Sequence, residues 1–458
     1  MQLVKIKKYL VLFLLLIFIE QSFCSCARSV NDQNTTLPGN RQLSFPSDSA
    51  FLDYIQKAHI NYLWKGAEPI SGMAPERIHL DGVYPENDQN VVTTGGSGFA
   101  IAGLLVGIDR GFIPRQAAVV HLTKIVDFLA KADRFHGMWP HWMYGNTGKV
   151  KPFGQKDDGG DLVESSFLME GLLCVRQYFR NGNTEEKQLA DKIDTLWKQM
   201  EYSWYLHDQN VLYWHWSPNY GWEMNFPLQG YNECLIAYIL GASSPTYSIP
   251  ASAYHEGWAR SGGIVSNATP YGIPLEVKHN GAEEYGGPLF WAHYSYIGLN
   301  PKGLKDQYAD YWNVTRNQAL VNYMYCVANP KSFKGYSDSC WGLTASYSVT
   351  GYEAHMPMNN DKGVITPTAA LSSFPYTPAE SMRALKYFYF QLGDKLWGQY
   401  GFFDAFSIGD NWYPKRYLAI DQCTVAPMIE NYRSGLLWKL FMSCPEVQDG
   451  LKKLGFNN

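Results

Sequence analysis

The chain carries little charge for its size. Of its 458 residues, 17% are Asp, Glu, Lys or Arg, against about a quarter in ordinary soluble domains. A net charge of −4 leaves no electrostatic footprint for nucleic acid or another polyanion. Metal-ligand spacing is also missing. None of the eight cysteines forms a CxxC pair, and none stands with histidines at zinc spacing, so neither metal nor cofactor is expected. After residue 45 there is no linker, no shift of composition and no clear repeat, which excludes an array of small modules. What is abundant is aromatic: 32 Tyr, 15 Trp and 23 Phe. Their flat apolar faces and polar edges suit the C–H faces of pyranose rings. A neutral polysaccharide or oligosaccharide is the partner this composition favours.

The N-terminus reads as an export signal. Lys5, Lys7 and Lys8 precede the apolar run from Tyr9 to Ile19, then Phe23-Cys24-Ser25-Cys26. The apolar run is too short for a membrane span. Ser25-Cys26 resembles the end of a lipobox, with Phe23 where Leu is usual. Residues 1–25 are therefore expected to be a signal peptide, Cys26 the lipidated residue, and 26–45 a polar tether. The membrane is reached only through that anchor, as a periplasmic or outer-membrane lipoprotein. The catalytic domain would be 46–458.

Helical periodicity dominates the rest. It predicts about twelve helices, at 49–64, 97–109, 116–132, 161–179, 185–204, 232–241, 250–259, 289–298, 305–328, 339–347, 378–393 and 421–443. Long Gly-, Pro- and aromatic-rich loops separate some of them, at 65–95, 134–160, 260–288 and 348–376, and long loops in compact domains are usually functional. Helix count and rhythm suit an all-α (α/α)6 toroid, with the aromatic-rich loops gathered at one end.

Four acidic residues stand at predicted helix mouths: Asp161 and Glu164 in GGDLVESSF, Glu233 in GYNECLIAYIL, and Asp421 in LAIDQCTV. Asp161-x-x-Glu164 is also a capping box, and residues three apart share a helix face, so the two readings are compatible. Glu233 precedes an apolar helix, and burial near Trp214, Trp216 and Trp222 would raise its pKa, as a general acid requires. Asp421 is read as a capped, dipole-stabilised carboxylate that stays ionised, which suits a general base. Asp404 in GFFDAF is its rival. In a toroid the inner helices run parallel, so these mouths would open into one pocket.

Other candidates line the loops. His141 stands between Trp139 and Trp142, and Glu283-Glu284 precedes Tyr285-Gly286-Gly287. His141, Trp142, Trp222, Glu284, Tyr285, Trp341 and Tyr376 are expected to contact substrate. Cys174 and Cys234 read as buried thiols, and Cys326–Cys340 as a possible disulfide.

In order along the chain come TTGGSGFAIAGL (93–104), GGDLVESSFLMEGLL (159–173), WHWSP (214–218) and GYNE (230–233). EYGGPLFWAHYS (284–295), CWGLTAS (340–346), PYTPAESMRAL (375–385), GFFDAF (401–406) and LAIDQ with MIENYRSGLLW (418–438) follow. Together they resemble the bacterial glucoamylase-like proteins of glycoside hydrolase family 144, over nearly all of the chain after the tether. The resemblance implies an (α/α)6 barrel and metal-free, inverting hydrolysis of β-1,2-glucan. By it, Asp161, Glu164 and Glu233 match acidic positions important for activity, Glu233 as the acid and Asp421 as the base. The chain departs from the family at Cys423-Thr424-Val425, where Gly-Pro is expected.

The function expected is therefore inverting hydrolysis of β-1,2-glucan, or of a related neutral β-glucan or oligosaccharide. A polysaccharide lyase on the same toroid is one rival, disfavoured because lyases need a basic groove. A non-catalytic glycan-binding lipoprotein is the other, and it would not need three acidic helix mouths.

Overall fold

Fourteen α-helices carry the described part of the chain, residues 43–84 and 88–457 of a computed structural model. The signal-peptide and Cys26 readings, and nearly all of the tether, lie outside it. The first seven helices are α1 (Asp48–Trp64), α2 (Thr94–Asp109), α3 (Arg115–Leu129), α4 (Leu162–Phe179), α5 (Thr184–Lys198), α6 (Leu235–Ser243) and α7 (Tyr311–Ala328). Then come α8 (Pro367–Ser372), α9 (Pro378–Lys386), α10 (Gly393–Leu396), α11 (Ala419–Gln422), α12 (Val425–Arg433), α13 (Leu436–Met442) and α14 (Pro445–Lys453). Helix of all kinds makes up 45% of the described residues and sheet is scarce among them, so the class is all-α.

Two kinds of helix are present. In α2, α4 and α6 nearly every residue is buried, Ser, Gly and Cys included, because these sequences have no polar face to give to water. In α3, α5 and α14 only one stripe is buried, and α5 is started by a capping box between Asn183 and Glu186. Close approach of α2 and α4 depends on glycine: a Cβ on Gly98 would strike the Phe167 carbonyl, and one on Gly171 would strike Gly98. That contact lets the two buried helices cross backbone to backbone, and it fixes Glu164 against the start of α2.

Eleven short strands form antiparallel ribbons. They are β1 (Arg77–His79), β2 (Val91–Thr93), β3 (Trp142–Tyr144), β4 (Val150–Lys151), β5 (Gly160–Asp161) and β6 (His215–Trp216). The others are β7 (Ala345–Ser348), β8 (Gly351–Ala354), β9 (Trp397–Gly398), β10 (Gly401–Phe402) and β11 (Arg416–Leu418). Their pairings are β1–β11, β2–β3–β4, β5–β6, β7–β8 and β9–β10. Five of them, β1 to β4 and β8, lie within the segments the sequence marks as long loops.

Several expected helices are corrected. Residues 339–347 are not helical: Gly342 sits at φ +125° and the segment runs into β7. The apolar run CWGLTAS is short and interrupted by that glycine, so its periodicity was that of a buried extended segment. Residues 289–298 form two 3₁₀ turns rather than one helix. The run 421–443 is divided among α11, α12 and α13, the second break falling at Gly435 with φ +69°. Cys326 and Cys340 are buried free thiols, not a disulfide, and Cys174 and Cys234 are likewise buried and free.

Candidate active site

A cavity of about 320 Å³ opens where four ribbons meet the mouths of α2 and α4. Each ribbon supplies a facing pair or a support. Arg77 pairs with Leu418 across β1–β11, Thr93 with Trp142 across β2–β3, and Tyr347 with Tyr352 across β7–β8. All six line the cavity, together with His141, Phe153, Glu164, Trp214, Glu233 and Tyr294. The fourth ribbon, β5–β6, pairs Asp161 with His215 just behind the wall. Its close fit explains Gly159-Gly160: a Cβ on either would strike Trp216 or the Tyr205 hydroxyl. Protein, rather than a ligand, approaches these glycines.

Asp161 does cap α4, accepting the Glu164 N–H at 2.8 Å on Oδ1. The reciprocal half of the box is not made. Glu164 turns away and accepts the Gly95 N–H at 2.8 Å, and its carboxyl faces the cavity. Asp161 also accepts the Trp214 indole N–H at 3.0 Å and the His141 Nδ1–H at 3.0 Å. Burial disfavours its charge, but His215, His141 and the Glu164 N–H outweigh burial and hold it below the usual carboxylate range. Glu164 is the reverse: burial, helped by the Asp161 charge, lifts it to about 7. Burial alone would neutralise His141, yet Glu164 and Asp161 raise it to about 10. At neutral pH His141 is thus a fixed cation between two carboxyls, with Phe153 stacked on it at 4.2 Å.

Glu233 lies in the turn two residues ahead of α6, not in its first turn. Asn232 shapes that turn by accepting the Cys234 N–H at 3.0 Å, and Ser295 donates to the Glu233 carbonyl. The Glu233 side chain reaches the cavity and also a second space of about 380 Å³ on its far side, which shares Trp214 and Phe290 with the first. Burial raises its carboxyl to about 7, with Glu164 and Asp161 adding to the effect. A carboxyl that keeps its proton near neutrality, in a wall shared by two cavities, can protonate a leaving oxygen.

Asp421 differs from its expected state. It is the third residue of α11, caps nothing, and is 3% exposed. Tyr294, which lines the cavity, donates a 2.9 Å hydrogen bond to its Oδ1. Asp404 is the charged neighbour of Asp421, and the second oxygen of each carboxyl, Oδ1 of Asp404 and Oδ2 of Asp421, has no other partner among the described residues. Burial and the Asp404 charge push Asp421 well above the usual range. Burial likewise raises Asp404 to about 7, while the Tyr347 N–H at 2.8 Å stabilises its charge. Each carboxyl therefore titrates under the influence of the other, and the two behave as a pair.

His141 and Trp142 reach the cavity, but other expected contacts do not. Trp341 is fully buried against Tyr323, and Tyr376 is 3% exposed with its hydroxyl on the Ala292 carbonyl. Gly and Pro flank both rings, yet they close core rather than loop. Glu284 is exposed and Tyr285 packs on Tyr271, both outside the cavity. Trp222 lines a different cleft. Two residues the sequence reading missed are Glu76 and Arg77. Burial raises Glu76 to about 6, opposed by Arg77 and His141, and Arg77 is held 3.4 Å from Asp88. Their signal was an acid–base pair inside the long 65–95 loop. His141, Asp157 and Asp161 bring ligand-type atoms within 4.8 Å of one another, and His215 Nδ1 lies 3.2 Å from Asp157. That group could hold a cation, although a protonated His141 bonded to Asp161 already compensates the charge.

The Glycoamylase family model matches residues 225–445. An endo-β-1,2-glucanase from Chitinophaga pinensis, solved with sophorotriose and glucose, is 64% identical, with a TM-score of 0.89 over 90% of this chain and 99% of that one. An exo β-1,2-glucooligosaccharide sophorohydrolase acting at the non-reducing end, from Parabacteroides distasonis, is 45% identical over 429 residues. The match takes in 89% of this chain, which spans 58% of the length of that curated relative. An endo-β-1,2-glucanase from Talaromyces funiculosus shares the fold at a TM-score of 0.64 and 12% identity. With 64% identity along almost the whole Chitinophaga protein, the chain belongs to this glucoamylase-like family, glycoside hydrolase family 144.

Proposed function

We propose that the protein hydrolyses β-1,2-glucan with inversion, using Glu233 as the acid and Asp421, paired with Asp404, as the base. The observation that carries this reading is Glu233: its carboxyl is raised to about 7 in a wall that two cavities share. The relatives named for β-1,2-glucan hydrolysis supply the linkage. The layering of buried α2, α4 and α6 beneath one-sided helices supports an (α/α)6 barrel across residues 46–458, with the ribbons at its open end.

Sugar rings would rest on Trp142, Phe153 and Trp214, their hydroxyls on Glu76, Arg77 and His141. Glu233 donates its proton to the glycosidic oxygen as the bond to the anomeric carbon breaks. Water enters from the opposite face and gives its proton to the Tyr294 hydroxyl in the cavity wall, which passes its own proton to Asp421 of the Asp404–Asp421 pair behind it. Inverting enzymes keep the two carboxyls roughly 6.5–9.5 Å apart to leave room for that water. Asp161, ionised, holds His141 and Trp214 in place. A uronate substrate would meet carboxyls rather than a free cation, because Glu76 and Asp88 already neutralise Arg77. Lyase chemistry is therefore disfavoured.

Export and a lipid on Cys26 complete the proposal, resting on the N-terminal sequence alone. Incorporation of labelled fatty acid that disappears in Cys26→Ser tests the anchor. For the activity, linear β-1,2-glucan should yield new reducing ends without unsaturated product. Ultraviolet-absorbing unsaturated ends would point to a lyase, and intact glucan retained by the protein to a binding module.

A further inference from the structure

Trp204 is the only tryptophan among the described residues that is exposed, at 42%. It stands in a cleft of about 350 Å³ with Trp222, His207, Asp208, Glu201 and Tyr247, and none of these lines the cavity that holds Glu233. Tyr247 is itself 37% exposed.

The rings are held in place. His136 stacks on Trp204 at 3.7 Å and 11°, and His207 stacks on Trp222 at 4.6 Å and 27°. Tyr205 and Tyr213 wedge Trp222 edge-on at 5.8 Å each. His136, His207 and Asp208 all have left-handed backbones, with φ of 49°, 49° and 53°. Such conformations cost about 1–3 kcal/mol each and persist where the surroundings over-determine them. The packing therefore presents a rigid aromatic wall to water rather than burying it.

We infer that this cleft is a second carbohydrate-binding site, which holds a further segment of a β-glucan chain while another segment is cut. The inference rests on the hydrolase reading above. The indole and phenol faces match the C–H faces of pyranoses, and Glu201, Asp208 and Ser203 at the rim offer acceptors for sugar hydroxyls. The same carboxylates repel anionic ligands. Position supports the pairing of the two sites. Trp216 meets His136 at 4.8 Å and Trp204 at 6.3 Å on one side. On β6 it neighbours His215 and it pairs with Gly160 beside Asp161. A polymer spanning this ribbon would engage both sites, and the second contact would then be intramolecular. A short oligosaccharide would fill one site only.

The test compares wild type with Trp204→Ala, and with Tyr247→Ala from the opposite wall, on linear β-1,2-glucan and on its tetrasaccharide. The KM for polymer should rise about tenfold or more, as expected for an exposed aromatic anchor, with kcat/KM on the tetrasaccharide unchanged. Affinity electrophoresis adds a readout free of turnover. Glu233→Gln should be retarded by polymer in the gel, and adding Trp204→Ala should relieve most of that retardation. Equal losses on polymer and tetrasaccharide would show that Trp204 only props the β5–β6 ribbon, overturning the inference. So would variants that behave as wild type on both. Failure of the hydrolase reading looks different: wild type would then cut neither substrate, whatever Trp204 does to retardation.

Discussion

Tyr294 lines the cavity, and its hydroxyl donates a 2.9 Å hydrogen bond to the buried Asp421 carboxyl. That bond favours the charged form of Asp421, while burial and Asp404 oppose it. Tyr294→Phe should therefore raise the pKa of the Asp404–Asp421 pair further and move the acid limb of kcat toward higher pH. We expect turnover to fall by about 10–100-fold, with about 1–2 kcal/mol lost in stability for one buried bond to a charged group. An unshifted limb at wild-type kcat would remove the pair from the chemistry.

The pH profile of kcat/KM follows from the same groups. The Asp404–Asp421 pair must lose a proton before it can act as base, and its more readily ionised member, Asp404, does so as pH rises through about 7. The acid must keep its proton, which Glu233 loses as pH rises through about 7. The product of the two populations is a narrow bell near pH 7. Initial rates across pH 5 to 9, with stability checked at each point, would measure it.

Glu233→Gln should lose about 10²–10⁴ in turnover while remaining folded. The stability sign is also fixed. Glu233 binds its proton more tightly folded than unfolded, so it favours folding fully below the ordinary Glu pKa. That contribution fades as pH rises and is gone above about 7. Replacing it by Gln should leave Tm nearly unchanged at pH 4 and raise it at pH 8. A lower Tm at pH 8 would mean that the ionised carboxylate is stabilising.

Gly95→Ala would place a methyl on the Glu164 carboxyl, which the Gly95 N–H now holds at 2.8 Å. The α4 backbone is pinned where α2 and α4 cross at Gly98 and Gly171, so the Glu164 carboxyl must give up the Gly95 N–H and swing into the cavity. The expected loss is about 1–3 kcal/mol together with most of the activity, read by thermal unfolding and reducing-end assay.

Much of this site was legible because its acids sit at helix mouths. Asp161, Glu164 and Glu233 stand where Gly-rich turns meet apolar runs, and sequence periodicity finds such junctions. It also found α1, α2, α3 and α4 within a few residues, and overran the end of α5. Asp421 was located but its state was misread, since a carboxyl's partner across the fold, here Asp404 seventeen positions earlier, leaves no local mark. Trp341 and Tyr376 were misplaced for a related reason. Gly and Pro neighbours suggest loops, yet such loops can be packed into core. Glu76 and Arg77 went unseen because Arg77 opens a three-residue strand inside an irregular segment and Glu76 stands just before it, where neither helix nor strand periodicity has room to appear.

The account stands most directly on the stereochemistry of the first product. Proton NMR of linear β-1,2-glucan within minutes of mixing reports the anomer at each new reducing end before mutarotation. Direct displacement by water, with Glu233 as acid and the Asp404–Asp421 pair as base, predicts the α-anomer first. Initial β-anomer would contradict it, requiring a covalent intermediate on a carboxylate about 5–5.5 Å from the acid.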